Sequence, residues 1–364
     1  MNNILSQIWF RIQRDLFPHM EKGVAPLSDK EKKLVSVLEL IRVEEYVKRR
    51  WWSRGRPEKE RSLLARAYVA KMVYNISTTR ELIDRLDRED NLRRISGWEK
   101  GDKIPSESTF SRVFHEFSKS KLPQRVHEEL LLKYERERLV GHISRDSTDI
   151  VAREKAISKA KDGGEPKPRH KRGRPKKGED RLQKEPSRLE RQREMTIAEM
   201  LFDLPKGCDW GFKKKNGKDY YWRGYKLHVD WADGEIPIST LLTSASLHDS
   251  QTAIPLAKMS AERVVNLYDL MDSAYDAKEI EEYSVSLGHE PIIDRNPRRG
   301  QKLEMEPAKN RRYNERSTAE RGFSMLKESF GGCKIRVRGY EKVMCHLMFS
   351  IVALTAERLL NLLM

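Results

Sequence analysis

The stretch "HISRDSTDIVA", residues 142–152, decides how the chain is read. Apolar or β-branched residues alternate in it with polar ones, the two-residue period of a strand that lays one face on a core. Two later stretches, "YYWRGYKLHVDW" (220–231) and "IPISTLLTSA" (236–245), alternate in the same way and are rich in β-branched and aromatic residues. They are predicted strands. Then come a helix, "SQTAIPLAKM" (250–259), a strand, "RVVNLYDLM" (263–271), a helix, "DAKEIEEYSVSLG" (276–288), a strand, "EPIIDRN" (290–296), and a charged helix opening at Tyr313. Three strands followed by alternating helices and strands predict a mixed sheet with flanking helices, an α+β or α/β fold over residues 141–364.

Residues 1–140 read as helices. Ser28 and Glu31 make a capping-box pattern before the apolar run Leu34, Val37, Leu38 and Ile41. Thr78 and Glu81 repeat it before "RELIDRL", and Pro57 suits the first turn of "PEKERSLLARAYVAKMVYN". The helix "SESTFSRVFHEF", from Ser106, carries Arg112. Such short helices suit a helix-turn-helix reader and a plain bundle equally. The expectation is an all-α N-terminal DNA-binding domain over 1–140, with Arg112 on its DNA face.

The partner follows from charge. Lys and Arg number 72 against 56 Asp and Glu, a formal charge of +16. A globular chain this basic points to a polyanion, with nucleic acid ahead of an anionic membrane surface. The most apolar run, "HLMFSIVAL", is short of the roughly 20 residues that span a bilayer, so no membrane is expected. The N-terminus lacks the long apolar segment of a secretory signal. Three scattered cysteines form neither a disulfide framework nor a zinc site. The expected location is the cytoplasm, in association with the nucleoid.

Between the first two strands lies a foreign segment, 153–195, that is rich in Lys, Arg, Pro and Gly and nearly free of apolar residues. It is predicted to be a flexible basic insertion, unable to fold alone. Its "KRGRPKK" (171–177) resembles an AT-hook, whose Arg172 and Arg174 would enter the narrow minor groove of A·T tracts; the plain alternative is a solvated tail with unspecific charge attraction. The repeat of "RGRP" at 54–57 reads as the start of a helix. Trp51, Trp52 and the aromatics of "DYYWRGYK" (219–226) mix with cations and suit base stacking, though core packing explains most such residues.

The candidate chemistry starts from the helix "YNERSTAERGFSMLK" (313–327). At about 100° per residue, Arg316, Lys327, Glu320 and Tyr313 project at roughly 0°, 20°, 40° and 60°, one stripe about 20 Å long. Such a length matches several phosphates of a nucleic-acid strand. A carboxylate among cations makes sense there if it holds a metal while the cations hold the strand. Phosphodiester chemistry commonly uses Mg²⁺, bound by few carboxylates and by substrate oxygens, and two ions can serve the attacking and leaving oxygens. Asp146, mid-strand, and Asp272, at the carboxyl end of a strand, are the acids placed to join Glu320. Asp149 is the rival of Asp146 on the opposite strand face. Asp249 and Asp294 are weaker candidates near the sheet's edge, and His248 suits a loop. Singly, each residue has a bland reading: a surface aspartate, a helix N-cap at Asp272, an i,i+4 ion pair for Arg316 and Glu320.

Together, "DST" at Asp146, "DSAYDA" at Asp272 and "YNERSTAERGFSMLK" resemble the DDE insertion-sequence transposases that carry a Y-x2-R-x3-E-x6-K signature. The helical half resembles the N-terminal domain of that family, so the resemblance spans about residues 30–350. It implies an RNase H-like catalytic domain with Asp146, Asp272 and Glu320 as ligands of two Mg²⁺ ions, for which Mn²⁺ substitutes. It implies strand cleavage at transposon ends and transfer into target DNA by a homodimer or higher oligomer. Tyr313, Arg316 and Lys327 would hold the end strand. The chain departs from some members in lacking room for a large β-rich insertion before the Glu320 helix. A catalytically silent DNA-binding derivative and a hydrolytic nuclease of the same fold are the alternatives.

Overall fold

The computed structural model describes residues 2–23, 26–48, 59–136, 138–157, 185–215, 217–297 and 304–362. Eight α-helices come first: α1 (Asn2–Arg11), α2 (Phe17–Gly23), α3 (Asp29–Ile41), α4 (Arg61–Val73), α5 (Thr79–Arg88), α6 (Asp90–Ile95), α7 (Glu107–Lys119) and α8 (Leu122–Tyr134). The Ser28 capping box forms as the sequence predicts. At α5 only half of it forms. Thr78 caps the Glu81 N–H, while the Glu81 carboxylate turns to the Ser77 N–H instead. Helix α4 begins at Arg61, and Pro57 lies outside the described residues. The segment between α6 and α7 runs from Ser96 to Ser106, much longer than the 3–4-residue turn of a helix-turn-helix. Arg112 is exposed on α7.

The sheet begins with β1 (Leu139–Val151). Helices α9 (Arg188–Gln192) and α10 (Ile197–Asp203) precede β2 (Asp209–Lys215), β3 (Lys218–Ala232) and β4 (Ile236–Ser244). The rest is α11 (Ala253–Ala261), β5 (Val265–Met271), α12 (Lys278–Ser286), β6 (Glu290–Ile293), α13 (Pro307–Tyr313), α14 (Ser317–Ser329) and α15 (Tyr340–Asn361). β3 pairs antiparallel with β1 and β4, and β1–β5 and β5–β6 pair parallel. The predicted mixed sheet is therefore present, with an additional strand, β2, on the outer half of β3. Gly224 sits where these pairings change hands. A Cβ there would lie 2.0 Å from the Ile150 carbonyl oxygen, so only glycine lets β3 pass this close to β1.

The insertion is more ordered at its end than its composition suggests. Ser187 and Glu190 form a capping box, and Leu189 and Gln192 are buried. Gln192 donates to the Gln251 carbonyl at 3.0 Å. These few contacts tie 185–195 to α11 and α12, so the flexible reading fails for that part. The AT-hook residues Arg172 and Arg174, with Trp51 and Trp52, lie outside the described residues.

Helix α15 corrects the length argument made from "HLMFSIVAL". It has 22 residues and is long and apolar enough to cross a membrane, yet 83% of its most apolar window is buried inside the protein. It packs on α3, α4, α7, α8 and β4, joining the helical half and the sheet in one hydrophobic core. A second tie is the buried His127 of α8, whose Nε2 lies 2.9 Å from the Pro237 carbonyl on β4. The carbonyl can only accept, so Nε2 carries the proton.

Candidate active site

The register of β1 against β5 pairs Arg145 with Met271. The next residues along the two parallel strands are Asp146 and Asp272, so their backbones are neighbours, about 5 Å apart across the sheet. Arg145 anchors this point from the other side. It is fully buried and forms a two-pronged pair with Asp230 at 2.8 and 2.7 Å. Asp272 also fulfils its bland reading, since its Oδ1 caps the Ala274 N–H at 2.9 Å. That bond fixes the carboxylate, and Oδ2 has no hydrogen-bond partner among the described residues.

Asp146 accepts from the Ser147 N–H at 2.8 Å. Burial pushes its carboxyl up to about 7, and the charges of Asp272 and Asp249 add to that. Burial also raises Asp272, helped by Asp249 and Asp294. Two adjacent carboxyls that both resist ionisation are a site short of positive charge. Arg316 supplies some of it. Its Nη1 lies 3.4 Å from Asp146 Oδ2, and its Nη2 lies 3.2 Å from Glu320 Oε1.

The segment carrying Arg316 is not the single helix that its sequence suggests. Helix α13 ends at Tyr313, a 3₁₀ turn spans Asn314–Arg316, and α14 starts at Ser317. Tyr313 and Arg316 remain together, with the guanidinium 5.8 Å from the ring centroid. Glu320, however, is largely exposed and joins the aspartates only through Arg316. Lys327 points to Asp149 at 3.5 Å, where Lys213 of β2 also lies at 2.6 Å. Asp149 is thereby occupied by two ammonium groups, and their charges outweigh the upward push of its burial. Among the described residues, no three His, Cys, Asp or Glu side chains gather closely enough to hold a metal ion.

Asp249, a weaker candidate from sequence, lies close enough to the site for its charge to act on both Asp146 and Asp272. Burial alone would raise its carboxyl, but the His228 ring and the Lys226 ammonium, the latter at 2.9 Å, outweigh that and hold it below the ordinary range. The alternation of Lys226 and His228 on β3 was the available signal for this network. His248 caps the Ser250 N–H in the adjoining turn, as a loop residue would.

The donor chemistry fits divalent cations at Asp146 and Asp272: two partly buried carboxyls whose ionisation requires added positive charge. Glu320 fits by residue type and by its place beside Arg316.

A mixed sheet flanked by helices, behind a helical N-terminal region, is the architecture of an RNase H-like domain. The chain belongs to the DDE transposases: residues 142–356, more than half of it, match the transposase DDE domain, and residues 20–116 match the transposase domain DUF772. No curated protein matches the chain.

Proposed function

We propose that the protein moves its own element by cutting DNA at the element's ends and joining them to a target, using Asp146, Asp272 and Glu320. DNA transposition is the function of the family to which the chain belongs; the site residues, metal identity and assembly are the inference. The observation that carries it is the adjacent Asp146 and Asp272, both held above the ordinary carboxylate range, with Arg316 shared between Asp146 and Glu320.

Two Mg²⁺ ions, or Mn²⁺ in their place, would be held by the three carboxylates; when bound, such ions activate the attacking oxygen and stabilise the leaving one. The Ser147 and Ala274 N–H groups fix one oxygen of each aspartate, and the second oxygen of Asp146 faces Arg316. Arg316 is a guanidinium with carboxylates on both sides, and a phosphate offers the same two-pronged partner. An arriving end strand thus draws Arg316 onto its phosphate and releases Glu320 for the cation. Tyr313 backs the guanidinium, and Lys327 neutralises the next phosphates. In the first step, water oxygen bonds to phosphorus and the bond to the 3′-oxygen breaks, leaving a 3′-hydroxyl. In the second, that hydroxyl oxygen bonds to a target phosphorus and displaces one target strand. Joining two ends calls for a homodimer or higher oligomer, and the basic insertion, with Arg172 and Arg174, and Arg112 on α7 supply further DNA contacts. The site works in the cytoplasm, at the nucleoid.

The test is incubation of the purified chain with Mg²⁺ and DNA carrying the sequences that flank its gene. Nicks at the ends and joined products support the reading. Full cleavage by an Asp272→Ala chain overturns the assignment.

A further inference from the structure

The aromatics of "DYYWRGYK" divide in a way that the sequence does not reveal. Trp222 and Tyr225 are buried, but Tyr221 is 61% exposed, and on the neighbouring β2 Trp210 and Phe212 are 56% and 50% exposed. The β2–β3 register sets Phe212 opposite Tyr221 and Trp210 opposite Arg223. Alternation places these four side chains on one face of the hairpin. The Phe212 and Tyr221 rings lie 4.9 Å apart. The opposite face is occupied from within: Lys213 sits over the rings of Tyr220 and Trp222 at 5.4 and 5.6 Å and reaches Asp149 at 2.6 Å.

β1 pairs with β3 only as far as Gly224, so residues 218–223 of β3 and their β2 partners extend past the end of β1. A projecting hairpin with bare rings is an aggregation liability unless something covers it. Charge selects what does. Lys213, Lys214, Lys218 and Arg223 outnumber Asp209 and Asp219 on the described hairpin. Its root, through Lys213 and Asp149, is three β1 residues from Asp146, roughly 10 Å at strand rise. Rings flanked by cations beside a phosphodiester-cutting site match unpaired nucleic acid, whose bases stack on aromatics while its phosphates meet the charges.

We infer that the Trp210–Phe212–Tyr221 face of the β2–β3 hairpin binds unpaired DNA next to the cut, stacking its bases. This rests on the proposed transposase site for its purpose but not for its test. The probe is a fluorescent oligo-dT strand, with a duplex of equal length alongside, titrated by anisotropy with the parent chain, Phe212→Ala/Tyr221→Ala and Phe212→Leu/Tyr221→Leu. The leucine variant retains apolar cross-strand contact and guards against a melted hairpin. Both variants are expected to bind oligo-dT on the order of tenfold more weakly or worse, to hold the duplex nearly as well, and to keep the parent's oligomeric state. Equal oligo-dT affinity for parent and variants, or no oligo-dT binding by the parent, overturns the inference. So does a loss of oligomerisation with DNA binding intact, which would make the face a protein contact. A parent that binds oligo-dT through these rings yet never cuts element ends would sink the transposase site assignment and leave the hairpin standing.

Discussion

The Arg316 guanidinium lies 3.4 Å from the partly buried carboxylate of Asp146. It holds a cation's place where the neighbouring acids need one. Removing it should expose that need. Arg316→Ala is expected to bind Mn²⁺ at least about tenfold more tightly in calorimetry, since one competing positive charge at contact distance is lost. The same change should weaken binding of end DNA. Unchanged Mn²⁺ affinity would mean that Arg316 does not share the cation's ligands.

A second consequence concerns stability without metal. Asp146 titrates near 7 when folded against about 3.9 when unfolded. The folded state therefore binds more protons between those values, and stability falls as pH rises through that window. At pH 8 an ionised, partly buried Asp146 is a burden of up to a few kcal/mol. Asp146→Asn should melt several degrees higher than the parent at pH 8 and no higher at pH 3.5. Mn²⁺ should raise the melting temperature of the parent but not of the variant. A variant that melts lower at pH 8 would show that the carboxylate is satisfied as it stands.

Glu320 and Lys327 should separate by role. Glu320→Gln is expected to weaken Mn²⁺ binding and abolish cleavage while keeping or increasing end-DNA affinity, because a negative charge near the strand disappears. Lys327→Ala should weaken end DNA and leave Mn²⁺ binding alone, since Lys213 still neutralises Asp149. If both variants cut ends at the parental rate, Arg316–Glu320 is an exposed pair worth about 0.3–0.5 kcal/mol and nothing more.

Much of this was legible in the sequence, where one local signal governed the outcome. Alternation in "HISRDSTDIVA" yielded β1, and chain order, with Asp146 mid-strand and Asp272 at a strand's end, singled out these two acids. The misses have physical reasons. β2 was not recognised because Trp210 and Phe212 alternate on a face that nothing in the described fold covers, so no core pattern marks them. The 3₁₀ turn at Asn314–Arg316 contains neither Pro nor Gly and reads as continuous helix. Asp249 lies in the 3₁₀ turn after β4 and depends on Lys226 and His228 of β3, so nothing in the sequence around Asp249 itself marks it. α15 was underestimated because its charged ends hid how long the apolar helix runs.

Two histidines far from the site should set acid stability. Burial, with the Arg263 charge nearby, lowers His127 to about 3, and burial, with Lys71 nearby, lowers His346 to about 3. The unfolded chain protonates both near 6.5, so it binds more protons than the folded state between about 3 and 6.5. Stability is retained above that window and lost as pH falls into it, at up to about 2.7 kcal/mol per pH unit for the pair. Urea midpoints measured from pH 7 to 4.5 should drop accordingly. Asp146 opposes this drop over the same window, and His228, lowered to about 4 by burial, adds to it. His127→Gln, which can still donate to Pro237, should reduce the slope by up to about 1.4 kcal/mol per pH unit; an unchanged slope would remove His127 from the account.

Gly322 on α14 faces the ring of Trp231 on β3. A Cβ there would lie 2.5 Å from Trp231 Cε3, and Trp231 is fully buried with Phe323 edge-on at 5.2 Å. Two effects of Gly322→Ala oppose each other. Alanine favours the helix by about 1 kcal/mol, whereas overpacking a tight core costs about 1–3 kcal/mol. The ring has nowhere to go, so the clash should win and the variant should lose about 1–2 kcal/mol. The shift also moves Glu320, two residues away on the same helix, so end cleavage should fall further than DNA affinity. Trp231→Phe in the same chain should restore much of both. The smaller ring relieves the contact, and the lost indole N–H has no hydrogen-bond partner among the described residues. Differential scanning calorimetry and an end-cleavage assay on the parent, the two single variants and the double variant would check this. A Gly322→Ala chain at least as stable as the parent would show that α14 can shift away from β3 freely, and that its position does not fix Glu320.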